Sequence, residues 1–383
     1  MPTPSLLIVP ARFKTGRLYS QIPTNTDNRG DFTVTRNTTA TRFTSAGLLE
    51  SVASGIPRLD YYTSGGVTGC PALLVEPSAV NLALHSRDLT NAVWSGTNIT
   101  TAKNAVGADG VASGATTLTA TAASGTVLQA ISHASQSRVF SAYVRRVTGT
   151  GAIQMTTNNG TTWTTVTISS LYTQVACAAQ TVASGTVGFR MAVSGDVIEV
   201  DFTQGEVGPI ATSPIPTTTG TGSRSADVIS VTGAVSGSIG QTEGTLYFEI
   251  DVQKTAAATR NVIEVTDGTS SNRFFARLYD DSGTQRLEVA LLSSGGFAAR
   301  YQNLAMPAGI YKVAFGYALN NFACFVNGIQ NGSTDTSGNC SASYSTINLG
   351  SAAGNVSFFN DRIRAVALYN TRLTNAELAA LTA

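Results

Sequence analysis

Short apolar runs with a two-residue repeat constrain the fold of this 383-residue chain more than any other feature. Residues 139–146 (VFSAYVRR) and 244–252 (GTLYFEIDV) alternate apolar and polar side chains. Strict alternation is typical of a strand with one buried face. Clusters of Gly, Asn and Ser interrupt such runs about every 8–12 residues, a spacing that favours short strands over helices. The sequence therefore predicts an all-β protein.

Turn and cap residues predict where some of these strands begin and end. Asn327-Gly328 and Asn158-Asn159-Gly160 are typical of hairpin turns, and residues 45–47 (Ser-Ala-Gly) predict a hairpin within residues 39–52. The segment LTNAEL at residues 373–378 predicts a short C-terminal helix, with Thr374 or Asn375 as its cap.

The chain has few charges and no long apolar run, which excludes two classes of partner. Charged residues make up 12% of the sequence and the formal net charge is +1, so it is poorly suited to a phosphate backbone and we expect no nucleic-acid binding. No segment approaches the roughly 20 apolar residues that span a bilayer, so we expect no membrane insertion. The apolar run at residues 5–9 is too short for a signal peptide, and we therefore expect synthesis in a cytoplasm.

The cysteine pattern predicts neither a metal site nor a cofactor. Cys70, Cys177, Cys324 and Cys340 form no CxxC pair and have no His at ligand spacing. A disulfide between Cys324 and Cys340 would close a loop. Buried free thiols are the favoured interpretation, because cytoplasmic proteins rarely keep disulfides.

The sequence predicts no catalytic residues. His85 and His133 are the only histidines, and no GxSxG or HExxH motif is present. Three carboxylate pairs could in principle cleave a glycan or, in one case, bind calcium. We expect Glu249/Asp251 and Glu199/Asp201 to be solvated outward positions on strands. We expect Asp280/Asp281 to lie in a plain β-turn.

Composition predicts three regions along the chain. Residues 213–225 (SPIPTTTGTGSRS) have the composition of a linker, which separates a β-sandwich at residues 85–222 from a second antiparallel sandwich at residues 226–383. Residues 1–84 are irregular and have too little core to stand alone. Their mild excess of basic residues, which includes Arg12, Lys14 and Arg17, indicates either an attachment and oligomerisation region or an arm packed on the next domain.

One aromatic residue is a candidate sugar platform. Lectin sites stack the apolar face of a sugar on an exposed ring and orient the sugar with amides or carboxylates. Trp163 follows a turn that contains Asn158 and Asn159, and these three residues form the predicted carbohydrate site. The alternative is that Trp163 is a partly buried residue of the sandwich. We expect Trp94, the second tryptophan, to be buried.

Two junctions and the sandwich between them resemble parts of bacteriophage virion proteins, and the C-terminal region resembles a lectin-like family. The runs LLVEPSAVNLALHSRDLTNAVW (residues 73–94) and EVGPIATSPIPTTTGTGSRSAD (residues 206–227) resemble junctions between attachment regions and lectin-like sandwiches. The strand order within residues 85–222 resembles the galactose-binding-like jelly rolls of phage fibres. The strings VNG, INLG, RIRAVALYN and LTNAELAAL resemble the closing half of concanavalin A-like, laminin-G-like domains. The chain departs from them at Asn360-Asp361, where such domains more often carry a glycine.

The resemblance implies a structural virion protein, a head or tail fibre or capsid decoration subunit anchored by its N-terminus. Such proteins are commonly trimers, so it also implies a homotrimer, other capsid or tail proteins as partners, and a virion location after synthesis in a bacterial host. A tail adhesin that binds host-surface glycans is the alternative function. A polysaccharide depolymerase is the least favoured.

Overall fold

The computed structural model describes residues 2–21, 30–61, 63–64, 67–233, 236–255, 257–340 and 343–383. Within these ranges the protein is all-β and its sheets are antiparallel; one α-helix, Asn375–Thr382, lies near the C-terminus. The predicted fold class is confirmed. No helix in the described part of the chain is long and apolar enough to cross a membrane.

The chain forms two compact units, each assembled from separate segments. The terminal unit contains Met1–Asn37, Val52–Pro77 and Ala226–Ala383, and the central unit contains Thr38–Ser51 and Ser78–Ser225. The structure therefore divides residues 1–84 between the two units, whereas the sequence predicted one separate region. The last change of unit, between Ser225 and Ala226, falls at the end of the predicted linker.

The described strands of the terminal unit form two large sheets and one small hairpin, Thr63–Ser64 with Val67–Thr68. The first sheet has eight strands, of which Leu6–Ile8 pairs beside Asp361–Tyr369; the others follow in the order Ile329–Gln330, Asn321–Val326, Gly309–Ala318, Gly244–Val252, Asp361–Tyr369, Ala72–Val75 and Arg58–Asp60. The second sheet has nine described strands, in the order Phe13–Lys14, Arg17–Leu18, Phe32–Thr35, Val228–Thr232, Thr346–Leu349, Arg260–Thr266, Arg273–Asp281, Thr284–Ser293 and Gly296–Ala305.

Strands from the N-terminal segments complete both of these sheets. Phe32–Thr35 pairs with Val228–Thr232, and Ala72–Val75 pairs with the beginning of Asp361–Tyr369. The side chains of Leu6, Phe32 and Leu73 are fully buried in the core between the sheets. Residues from the first 77 positions thus belong to the core that the C-terminal half builds, because they lack enough apolar surface for a core of their own.

The C-terminal helix covers the outer side of the first sheet. Thr374 caps the helix, and the side chain of Glu377 completes a capping box, which confirms the predicted cap. Leu378 of this helix lies in a buried cluster with Tyr247.

The prediction that Glu249 and Asp251 are solvated was wrong: Asp251 is 3% exposed and Glu249 is half-buried.

The described strands of the central unit form a sandwich of two sheets and two further pairs of short strands. The first sheet runs in the order Trp94–Thr97, Gly125–Ile131, Gly185–Met191, Ile153–Thr156 and Thr164–Val166. The second runs in the order Ile99–Ala105, Ala115–Ala120, Val197–Val207, Gln136–Thr148 and Thr173–Ala176, with Gln180–Val182 also beside Gln136–Thr148. The small pairs are Ala40–Phe43 with Leu49–Val52, which confirms the predicted hairpin, and Ala79–Asn81 with Gly222–Arg224.

The two runs that resemble virion junctions meet inside the central unit. Ala79–Asn81 comes from the first run and Gly222–Arg224 from the second. The buried Asn81 amide donates to the carbonyls of Thr203 and Ile215 at 2.9 Å each, and its oxygen accepts from the N–H groups of Ala83 and Gly205 at 3.0 Å each. One side chain therefore satisfies four backbone groups where these segments cross.

Candidate functional site

The second sheet of the terminal unit carries polar and aromatic side chains on the face turned away from the core. Register places Glu264 opposite Phe275, Phe275 opposite Ala290, and Ala290 opposite Arg300. Residues directly opposite each other in a sheet project on the same side. Residues two positions away share that side, so Arg277 and its partner Glu288 join this face.

Two carboxylates on this face are buried beneath arginines. Glu288 is 1% exposed, and its two oxygens accept from Nε of Arg277 at 2.5 Å and Nε of Arg300 at 2.6 Å. Glu264 is also 1% exposed and accepts from Nη1 of Arg273 at 2.8 Å. The three arginine side chains remain 26–40% exposed. Since buried carboxylates need charged partners, each arginine has a structural role as well as a solvent-facing end.

Aromatic rings accompany these arginines. The ring of Phe275 lies under the guanidinium groups of Arg273 and Arg277, at 5.1 and 4.8 Å from its centre. The guanidinium of Arg300 lies 4.6 Å from the centre of the Phe297 ring, which is 52% exposed. Phe297 therefore offers a large exposed apolar surface beside a cation.

A polar cavity of about 530 Å³ lies along the edge strand Gly296–Ala305. It is lined by Arg300–Asn303 and by residues 331–336. The side chains of Gln302 and Ser333 make no hydrogen bond to any described residue. We call the exposed Phe297, Arg300 and this cavity the edge surface. Its ring can stack on the apolar face of a sugar, and its amide and hydroxyl groups can bond sugar hydroxyls.

The predicted carbohydrate site at Trp163 lies in the central unit. Trp163 is half-buried, and the guanidinium of Arg190 lies 4.5 Å from the centre of its ring. Nε of Arg190 donates to Gln154 at 2.7 Å, which fixes the cation over the ring. One face of the indole is therefore already in contact with a charged side chain.

The two asparagines beside Trp163 hold the loop together. Asn158 accepts from the N–H of Thr162 at 2.9 Å and donates to Gln180 at 2.6 Å. Asn159 has a positive φ of 63° and accepts from the N–H of Thr186 at 2.6 Å. Asn158, Asn159 and Trp163 lie in one loop, but hydrogen bonds within the protein already use the amide of Asn158 and the amide oxygen of Asn159.

A second cavity, of about 310 Å³, lies in the central unit beside the hairpin of residues 40–51. Arg87 lines it and donates from Nε and both Nη atoms to Asp201 and Asp109. Burial opposes ionisation of Asp109, but the bonds from Arg87 outweigh it and keep the pKa of Asp109 below its usual value. Because every nitrogen of this guanidinium is engaged, Arg87 has little capacity left for a ligand.

The carboxylate pairs considered in the sequence are engaged in ion pairs or turns. Asp201 is fully buried against Arg87, which corrects the prediction that Glu199 and Asp201 are solvated. Asp280 and Asp281 begin a tight hairpin turn, as predicted. Among the described residues, no group of three or more His, Cys, Asp or Glu side chains could hold a metal ion.

The remaining predicted residues lie as follows. Trp94 is 5% exposed and its indole N–H donates to the carbonyl of Leu84 at 3.2 Å, as predicted for a buried tryptophan. All four cysteines are free, and three of them are buried. Arg12, Lys14 and Arg17, the predicted attachment residues, are exposed in the terminal unit.

Sequence reasoning missed the arginines on the second sheet. A hairpin centred on Ser282-Gly283 pairs Arg277 with Glu288, and this register could have been read from the predicted turn. The position of Arg300 depends on irregular registers between Thr284–Ser293 and Gly296–Ala305. Those bulges have no simple sequence signature.

Comparison with known families places the C-terminal part of the chain. Residues 223–379 match the model of the concanavalin A-like lectin/glucanases superfamily, in its Laminin_G_3 family. The match covers less than half of the chain and contains most strands of the terminal unit, including the edge surface. This part of the protein therefore has a lectin-like fold. No relative was found among curated proteins.

Several solved structures are similar to part of the chain. The CBM40 of the Ruminococcus gnavus IT-sialidase is 20% identical, with a TM-score of 0.30, over 37% of this chain and 84% of that one. Domain 4 of the arabinanase AbnA from Geobacillus stearothermophilus is 13% identical, with a TM-score of 0.31, over 41% of this chain and 73% of that one. The SAP-like pentraxin of Limulus polyphemus is 15% identical, with a TM-score of 0.29, over 40% and 71%.

Proposed function

We propose that this protein is a glycan-binding protein and that its terminal unit binds sugar at the edge surface. The observation that carries the proposal is the exposed Phe297 ring beside a polar cavity with unengaged amide and hydroxyl groups. The lectin-like fold of residues 223–379 supports it. The ring supplies contact area and the polar groups supply orientation.

A glycan array tests this proposal. Wild-type protein should bind a subset of glycans above background, and Phe297→Ala should weaken binding about tenfold, since losing one aromatic contact costs roughly 1–2 kcal/mol. Leu319→Ala is the matched control, because Leu319 is 64% exposed but lies outside the edge surface. Absence of any bound glycan would contradict the proposal.

Trp163 is the second sugar contact that we propose, on the central unit. Its support is the half-buried ring and the neighbouring amide nitrogen of Asn159, which donates to no described residue. In the same array, Trp163→Ala should remove a subset of signals that Phe297→Ala leaves intact. If both variants bind every glycan as the wild type does, neither ring contacts sugar.

We propose binding without hydrolysis. Asp335 in the cavity accepts from the N–H and the hydroxyl of Ser337, and Glu288 beside it accepts from two arginines. A carboxylate whose oxygens are held by hydrogen bonds within the protein is poorly placed to take part in cleavage of a glycosidic bond. Purified protein incubated with bacterial capsular polysaccharide should release no fragments, and released oligosaccharides would show an enzyme.

A structural role in a bacteriophage virion is the second candidate function. The observation that favours it is the pairing of Ala79–Asn81 with Gly222–Arg224, which joins the two runs that resemble virion junctions. On this proposal the protein is a homotrimeric fibre or decoration subunit, and Arg12, Lys14 and Arg17 contact other virion proteins. A monomeric mass in solution at micromolar concentration would count against the trimer.

A further inference from the structure

Glu288 holds two guanidinium groups in a defined orientation on the second sheet of the terminal unit. Each of its oxygens accepts from the Nε of one arginine, Arg277 on one neighbouring strand and Arg300 on the other. The carboxylate is 1% exposed, and the arginines are 30% and 40% exposed. The buried end of each arginine is therefore fixed, and the other end faces solvent.

The terminal nitrogens of this pair are free of hydrogen bonds to the part of the chain that the structure describes. No described residue accepts a hydrogen bond from an Nη atom of Arg277 or Arg300. This contrasts with Arg87, whose Nε and Nη atoms all donate to carboxylates. Two guanidinium groups with free Nη atoms next to one another can donate several charge-assisted hydrogen bonds to one anionic group.

The charge balance of this face also favours an anion. Arg273, Arg277 and Arg300 face two carboxylates, Glu264 and Glu288, so the cluster carries one surplus positive charge. The net charge of the whole chain is also only +1, so the positive charge of this cluster is not part of a generally basic surface. The Phe275 ring against Arg277 restricts the movement of that guanidinium.

We propose that Arg277 and Arg300, anchored by Glu288, bind the anionic group of an acidic glycan, a carboxylate or a sulfate. The inference rests on the proposed glycan binding at the edge surface, which Arg300 shares. Phe297 and the cavity would contact the neutral part of the sugar, and the arginine pair would select glycans that carry an acidic substituent.

Calorimetric titration with matched pairs of probes tests the inference. The carboxylate arm compares oligogalacturonate with its methyl ester, and the sulfate arm compares a carrageenan oligosaccharide with its desulfated form. Wild-type protein should bind the acidic member of at least one pair about tenfold more tightly, since a hydrogen bond to a charged group contributes roughly 1.5–3 kcal/mol. The arm that shows this preference identifies the anionic group.

Two variants and a control locate the site. Arg300→Gln should abolish the preference while Arg277 still neutralises Glu288; Arg300→Lys keeps the charge and should lose most of the preference, because it lacks the planar fork. Arg364→Gln is the control: Arg364 is 31% exposed and its Nε donates to Glu249, on the other sheet. Thermal melts verify that each variant is folded.

The outcomes separate the two proposals. Equal binding of acidic and neutral probes, with loss on Phe297→Ala, would overturn the inference and leave glycan binding standing. A preference for acidic probes that survives in both Arg300 variants, or falls equally in Arg364→Gln, would overturn the assignment to this pair. No binding of any of the four probes would overturn the inference, and the glycan array tests the proposed glycan binding separately.

Discussion

The two candidate sugar surfaces are held together by different chemistry. On the second sheet of the terminal unit, buried glutamates fix the arginines and leave guanidinium nitrogens facing solvent. At Trp163 in the central unit, neutral amides fix the loop through hydrogen bonds to other groups of the protein. A buried carboxylate can thus fix an arginine and still leave its terminal nitrogens as donors for a ligand. A small amide that closes a loop has few hydrogen-bonding atoms left for a ligand.

The largest expected effect is on the ionic anchor. The double variant Arg277→Gln, Arg300→Gln leaves Glu288 buried without a cation, which should lower the free energy of unfolding by about 3 kcal/mol. Denaturant unfolding followed by circular dichroism measures the change.

The surface arginine Arg286 supplies the control for that experiment. It pairs with Asp281, which is 47% exposed, and Arg286→Gln should change stability by less than about 1 kcal/mol. If the double variant is as stable as this control, Glu288 does not depend on its arginines and the contrast between the two surfaces is lost.

A smaller effect is expected at the amide-held loop. Asn158→Ala removes the acceptor of the Thr162 N–H and the donor to Gln180, which should cost about 1–2 kcal/mol. The loop should loosen around Trp163, so its fluorescence should shift to the red and acrylamide should quench it more strongly. Asn104→Ala, at an exposed strand position of the same unit, should leave the spectrum unchanged.

A buried glutamate and an exposed glutamate should change the free energy of unfolding with pH in opposite directions. Burial raises the pKa of Glu206 in the central unit, despite hydrogen bonds from Thr212 and Gln204. A raised folded-state pKa contributes stability that is present below the unfolded pKa, about 4.3, and lost as pH rises through the folded pKa. The stability of wild type relative to Glu206→Gln should therefore fall as pH increases above about 4.

Glu377 of the helix capping box should behave in the opposite way. Hydrogen bonds from Thr374 lower its pKa, so its contribution is present above the unfolded pKa and is lost as pH falls through the folded value. The stability of wild type relative to Glu377→Gln should rise with pH over the acidic range. Unfolding curves at several pH values measure both differences, and a common sign would contradict the assignment.

Thiol labelling of the unmodified sequence can report the opening of each unit separately. Burial raises the pKa of Cys177 and Cys324 to about 12 and that of Cys340 to about 11, while Cys70 is exposed. At pH 8 in native buffer, a thiol reagent should modify Cys70 alone. On warming, labelling of Cys177 reports opening of the central unit, and labelling of Cys324 reports opening of the terminal unit. Rapid native labelling of all four would show that the burial is incorrect.

Local sequence signals predicted the parts of the fold that depend on neighbouring residues. The Asn327-Gly328 turn, the Thr374 cap and the alternating strand Gly244–Val252 were all correctly predicted, because each depends on residues within one turn or strand. The Trp163 loop was recognised for the same reason. Long-range pairing was not predicted: the N-terminal strand Leu6–Ile8 joins residues 366–368, and no local pattern indicates that partner.

Burial on the outer side of a sheet was the second feature that the sequence did not predict. Asp251 and Asp201 occupy the polar phase of alternating strands, yet both are buried: Asp201 lies against Arg87, and Asp251 accepts a hydrogen bond from Gln253. Alternation distinguishes the two faces of a strand but does not say what packs on each of them. Arg300, the second arginine on Glu288, was missed because its position depends on bulges that shift the strand register.

The division of each unit among separate segments has a consequence for synthesis. A ribosome makes the N-terminal end first, so all of the central unit has been made once Ser225 is added. Phe32–Thr35 must wait for Val228–Thr232, and Leu6–Ile8 for Asp361–Tyr369. Until translation is nearly complete, the nascent chain therefore carries early strands whose partner strands have not been made, and premature termination would leave them without those partners.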